Sequence, residues 1–195
     1  MKRVEFLFDY ASPWSFLANE LLERKLRGAE IVWKPVYIRA LESFKDGFAL
    51  DSKKTLYNIR DLERCSAHEG VSMRPPIAFP INGLYALRGA LVAQKLGKFP
   101  LYHAAMFRAA WLESREVSSV ASVADIARGL GLPELADGLE DPAIKAELRA
   151  LTESAVQRGA FGVPTFFVAD AMFWGHDRMD YVQRALEPEG HVAHV

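Results

Sequence analysis

Cysteine is nearly absent from this chain. Among 195 residues only Cys65 carries a thiol, so no disulfide can close within the chain, no pair of redox cysteines exists, and no cysteine-based metal site can form. An excess of either charge is absent too: 24 Lys and Arg face 25 Asp and Glu, and no basic block stands out. Nucleic acid and anionic membrane are therefore not expected partners. Apolar runs fall far short of a membrane span, and MKRVEFLFDY at the start has no long apolar stretch or cleavage site, which reads as a cytoplasmic protein. The five histidines, His68, His103, His176, His191 and His194, show no metal spacing with carboxylates. There is no internal repeat and no low-complexity segment. With half its residues hydrophobic and a quarter charged, the chain reads as an ordinary globular protein whose partners are small molecules or protein surfaces.

What is present is organised around Phe6 to Leu17, FLFDYASPWSFL. The apolar run Val4 to Asp9 predicts a strand buried on both faces, because Phe6, Leu7 and Phe8 leave no alternation. Ser12-Pro13 then opens a helix running to about Arg27. Serine is a favoured N-cap, and proline loses nothing at the first helical position, where its missing N–H would have had no partner. The turn aims a hydroxyl and free backbone N–H groups at one point, which attracts an anion because a helix start carries about half a positive charge. Read alone, Ser12 is only a cap.

Ile31 to Ile38 predicts a second strand, with Pro35 marking an edge or a bulge. Helical periods follow over roughly Lys53 to Glu69, Asn82 to Leu96, Pro100 to Glu113, Ser119 to Leu130 and Pro142 to Arg158, with breaks at Pro75-Pro76, Phe79-Pro80, Gly97, Gly131 and Asp141-Pro142. Thr165 to Val168 and Met172 to Trp174 have hairpin spacing, and a last helix spans about Arg178 to Leu186. The expected fold class is α/β: a thioredoxin-like fold in which residues 1–45 and 159–195 form the sheet domain and 46–158 an inserted helical domain.

Three motifs, FDYASPWSFLA, GAFGVPTFFV and FWGHDRM, together with FPINGLYALRGAL and the segment Ala105 to Trp111, resemble the DsbA-related branch of thioredoxin-like proteins. Within it they are similar to 2-hydroxychromene-2-carboxylate isomerases and class kappa glutathione transferases. Where redox relatives carry Cys-Pro-x-Cys, this chain has Ser12-Pro13-Trp14-Ser15. Disulfide exchange needs an attacking thiolate, so a disulfide oxidoreductase is not expected.

The resemblance implies a glutathione cofactor whose thiolate Ser12 stabilises. If hydroxyl and helix end together contribute roughly 1 to 3 kcal/mol, the thiol pKa falls by roughly one to two units at about 1.36 kcal/mol each. It implies a cis bond between Val163 and Pro164, presenting the Val163 backbone to the tripeptide. It also implies a γ-glutamyl site at Gly175, His176, Asp177 and Arg178, where backbone N–H groups hold a carboxylate and Asp177 takes an ammonium. Relatives carry Gly-Asn-x-Pro-Pro after a lysine in the connection beyond the second strand. Here Phe44-Lys45-Asp46-Gly47-Phe48 keeps the lysine and lacks the Asn and the Pro pair, so Lys45 is the expected carboxylate contact, with Lys53 or Lys54 as substitutes. Trp14, Tyr57, Tyr85 and Trp111 are candidate walls for an aromatic or electrophilic substrate, Trp14 and Tyr85 first, although aromatics at helical spacing are more often core.

The activities implied are reversible thiolate addition in an isomerase, or conjugation in a transferase. The shortened segment after Lys45 favours a third possibility, a non-catalytic peptide-binding module. A homodimer is implied by the family alone.

Overall fold

The computed structural model describes residues 2–44 and 52–187. Four strands, β1 (Arg3–Phe8), β2 (Glu30–Pro35), β3 (Thr165–Val168) and β4 (Ala171–Trp174), form one sheet in the order β2-β1-β3-β4. The first two run parallel, with Phe6 opposite Trp33, and are joined by helix α1 (Pro13–Lys25). Strand β3 lies antiparallel to β1, with Phe6 also opposite Phe166, and turns back into β4. Between β2 and β3 come α2 (Lys53–Glu69), α3 (Leu84–Lys95), α4 (Phe99–Trp111), α5 (Val120–Gly129), α6 (Leu135–Gly138) and α7 (Pro142–Gln157). After β4, a 3₁₀ turn at His176–Arg178 leads into α8 (Met179–Ala185). Among the described residues, no helix is long and apolar enough to cross a membrane.

The missing alternation in β1 has a direct cause. Phe6 and Phe8 point into the larger core with the helices, while Leu7 points the other way into a smaller core with Val36, Ile38, Leu41, Val163 and Phe167. Both faces are covered, so every position is apolar, and each buried Phe or Leu contributes roughly 1.5–3 kcal/mol.

The second strand is shorter than the sequence predicts. It stops at Pro35, and Ile38–Ala40 form a 3₁₀ turn instead. Proline has no N–H to extend the ladder, and β2 is the sheet edge, where proline is tolerated. Helix α1 ends at Lys25, two residues early, and the short α6, which has no side-chain cap, carries no sequence signal. Helix α2 matches its predicted span, held by Ser52 at its N-cap and by Gly70 in left-handed backbone at its end.

Candidate functional site

The site forms where β1, the loop before β3 and the turn after β4 converge. Ser12 is the N-cap of α1, in extended backbone, and its Oγ accepts the Ser15 N–H at 3.1 Å. The same hydroxyl donates across the gap to the Val163 carbonyl at 3.3 Å. Val163–Pro164 is cis, as the motif implies, and so is Phe79–Pro80, where the sequence marks only a break. The hydrogen bonds of the described residues leave the Val163 N–H unused. Thr165, fully buried, steadies this loop by donating from Oγ1 to the Gly162 carbonyl at 2.7 Å. Gly162 is needed for close approach: a Cβ there would lie 2.7 Å from Trp174 Nε1.

The Ser12 hydroxyl caps the helix as its position predicts, and it is also engaged across the gap. Both its donor and an acceptor position are in use, and Ser12 is only 4% exposed. The bond to Val163 is long for an O–H donor, which prefers about 2.7–2.8 Å, so a better acceptor at the same place can take the proton. Ser15 is fully buried, and its Oγ has no hydrogen-bond partner among the described residues.

The third motif closes the other side. Gly175 has φ 106°, ψ 150°, backbone that a side chain would strain, and its N–H donates to the Pro164 carbonyl at 3.0 Å. The N–H groups of His176 and Asp177 precede the first bond of the turn, Arg178 N–H to Gly175 O at 3.3 Å, and so have no partner within it. The Asp177 carboxylate pairs with Arg178 at 3.4 Å, and both are about half exposed. His176 is half-buried. Its ring stacks on Trp14, centroids 4.9 Å apart and planes 17° from parallel. Burial lowers the His176 pKa, with Asp177 acting in the opposite sense.

Two buried groups under the Ser12 turn were not picked out by the sequence. Asp9 is fully buried; Oδ1 accepts the Ala11 N–H and Oδ2 the Ile38 N–H, each at 2.9 Å. Burial raises its pKa to about 6, while these two bonds and the Arg39 guanidinium pull it down. Asp9 thereby ties the turn before Ser12 to the chain leaving β2. Its signal was a lone carboxylate in the apolar run FLFDY.

His103, on α4, accepts from the Tyr10 hydroxyl at Nδ1 and donates from Nε2 to Asn19 Oδ1, both at 2.9 Å. An amide oxygen only accepts, so the proton sits on Nε2. Burial lowers its pKa to about 3. Trp111 Nε1 donates to the Tyr10 carbonyl at 2.9 Å, so Trp111 is core and 3% exposed.

Of the other candidates, Lys45 lies outside the described residues. Tyr85 sits on α3 beneath the Arg88 guanidinium, which lies 5.1 Å from its ring centre. Tyr57 is 57% exposed on α2. Cys65, also on α2 and outside every motif, lies within electrostatic reach of Asp177; burial first, then Asp61 and Asp177, raise its pKa, so its thiol is a poor nucleophile at neutral pH.

The family model of DSBA-like thioredoxin domains matches residues 3–187. The chain belongs to this family. A 2-hydroxychromene-2-carboxylate isomerase of Sphingobium xenophagum is 28% identical over 194 residues, covering 95% of this chain and 98% of the relative. The human glutathione S-transferase kappa 1 is 28% identical over 214 residues, covering 95% and 91%. A solved structure of a 2-hydroxychromene-2-carboxylate isomerase superposes with a TM-score of 0.78 at 26% identity, covering 94% of each chain. This DsbA-type domain thus carries the thioredoxin-like fold that its motifs imply.

Proposed function

We propose that this chain is a glutathione-dependent isomerase of the 2-hydroxychromene-2-carboxylate type. The observation that carries the reading is the convergence of three sequence-distant motifs on Ser12: its hydroxyl at the Val163 carbonyl, with Trp14 stacked on His176. The unused Val163 N–H, the open N–H groups of His176 and Asp177 and the exposed Asp177 carboxylate fit the backbone, α-carboxylate and ammonium of a γ-glutamyl tripeptide. Relatives named as isomerases and as a kappa transferase support the same cofactor.

The chemistry that glutathione supplies when bound is reversible addition of its thiolate to an activated carbon–carbon double bond, which can rotate before elimination. Ser12 turns its proton from the Val163 carbonyl toward the negative charge in the site. The start of α1 adds positive potential at the same point. Val163 pairs through its backbone, Asp177 neutralises an ammonium, and Lys45, Lys53 or Lys54 meets the far carboxylate. Trp14 holds one wall with its ring on His176. Asp9 keeps the turn rigid by gripping the Ala11 and Ile38 N–H groups. Dithiol chemistry has no place in this reading, because positions 12 and 15 carry hydroxyls.

Incubation with 2-hydroxychromene-2-carboxylate, with and without glutathione and followed by absorbance, tests it. Glutathione-dependent interconversion with glutathione left intact is expected; no such interconversion contradicts the assignment. The human kappa relative favours a second reading, conjugation to small electrophiles, in which glutathione is consumed.

A further inference from the structure

A groove of about 680 Å³ lies between the Tyr37–Glu42 connection, the start of α3 and the outer face of α7. None of Ser12, Trp14, Val163, His176 or Asp177 lines it. Its size is that of a small-molecule pocket. The walls are largely apolar, from Leu84, Leu148 and Val156.

The polar groups divide sharply by whether they are already in use. Thr152 Oγ1 has its proton in use, donating to the Leu148 carbonyl at 2.9 Å while accepting the Tyr37 N–H at 3.1 Å. The Tyr37 hydroxyl donates to Asn82 Oδ1 at 3.1 Å. At the rim Arg149 is paired with Glu153 at 2.7 Å, and Glu42 is itself engaged. Arg88 differs. It is half-buried with its guanidinium over the Tyr85 ring, its Nε is buried with no hydrogen-bond partner among the described residues, and its Nη1 reaches the Leu139 carbonyl only at 3.4 Å. No carboxylate lies within ion-pair distance of it among the described residues, nor of Lys145 at the rim. A guanidinium is always charged, and a buried donor without an acceptor is costly.

A second cation, Arg39, does not line the groove but acts electrostatically on Tyr37, which does. Arg39 donates to the Pro80 and Ile81 carbonyls, each at 3.1 Å, and its Nε is also buried without a partner. Burial raises the pKa of the Tyr37 phenol; Arg39 and Arg88 act on it in the lowering direction and Asp9 in the raising one. The spare polar capacity of the groove is therefore positive, next to apolar wall.

We infer that this groove is a second ligand site, for a small organic acid whose carboxylate pairs with Arg88 and whose apolar or aromatic body lies on Leu84, Leu148 and Val156. It is independent of the glutathione reading. It also has a route to the Ser12 turn: the backbone of Tyr37 is tied to Thr152, and that of the next residue, Ile38, to Asp9.

The probe is 2-naphthoate, titrated into the full chain and followed by calorimetry and backbone amide NMR, beside the neutral 2-naphthamide. Naphthoate should bind, shift the amides of Tyr37, Arg88 and Thr152, and exceed naphthamide at least tenfold. Arg88→Gln should weaken naphthoate at least tenfold, and Val156→Trp, at an exposed position, should block the groove; glutathione affinity should stay unchanged in both. If Arg88→Gln lowers the thermal midpoint, Val156→Trp decides. Equal binding of the two probes, no effect of Val156→Trp, shifts confined to Ser12 and His176, or no binding at millimolar naphthoate would each overturn the assignment.

Discussion

The Ser12 hydroxyl and the Val163 carbonyl meet at 3.3 Å although 151 residues separate them. One donor thus joins the start of α1 to the loop before β3, in a bond long enough to be given up to a stronger acceptor. The two serines of Ser12-Pro13-Trp14-Ser15 then have unequal roles.

Ser15→Ala removes a buried hydroxyl that has no partner among the described residues, so it should leave stability unchanged or raise it by up to about 1 kcal/mol, and should keep activity. Chemical denaturation and the isomerase assay measure both. A loss above about 1 kcal/mol, or an inactive variant, would show that Ser15 has a role in the site.

Gly83→Ala reaches the site through Asp9. A Cβ at Gly83 would lie 1.9 Å from Asp9 Oδ1, so the carboxylate must leave the Ala11 and Ile38 N–H groups. The expected cost is about 2 to 3 kcal/mol, or a thermal midpoint lower by roughly 5 to 10 °C. An unchanged midpoint would mean that Asp9 does not hold the turn.

The acid response of stability should be dominated by His103. Its folded pKa of about 3, against 6.5 unperturbed, means that the unfolded chain binds the proton first; stability is full above 6.5 and lost as pH falls toward 3. Over that window the loss is roughly 5 kcal/mol. Asp9 acts the other way: its folded pKa of about 6, against 3.8, makes stability fall as pH rises from 3.8 to 6, by roughly 3 kcal/mol. Between pH 4 and 6 the two nearly cancel, so His103→Gln should turn an almost flat stability profile into one that falls as pH rises, read in denaturant titrations. Persistence of the wild-type slope would contradict the neutral, Nε2-protonated imidazole.

Trp14→Ala strips the ring from His176. Burial holds this imidazole below its ordinary value, so exposure should raise its pKa toward that of a free histidine. Glutathione affinity should fall several-fold, since a stacked pair is worth about 1 kcal/mol. An unmoved NMR titration of the His176 ring would show that the stack does not form in solution.

The sequence carried most of the architecture because its signals are local. Ser52 and Gly70 bound α2, the hairpin spacing predicts β3, and Pro35 announces the edge. The motifs named Ser12, Val163, His176 and Asp177, and the structure brings Ser12 to Val163 and Trp14 to His176. What local pattern could not carry is who uses each polar group. Asp9 is legible only with Ile38 beside it, 29 residues away, and His103 only with Tyr10, 93 residues away. The helical spacing of Arg88 does not show that, among the described residues, no carboxylate pairs with it.

Central to the proposed function is a borrowed sulfur held as a thiolate by Ser12. The direct measurement is the pKa of the thiol in bound glutathione, read from thiolate absorbance in the ultraviolet for the native chain and for Ser12→Ala. The native site should lower it by roughly one to two units from about 8.5, and Ser12→Ala should return most of that shift while tripeptide binding persists. Identical values in the two proteins, or no binding of glutathione at millimolar concentration, would contradict the account.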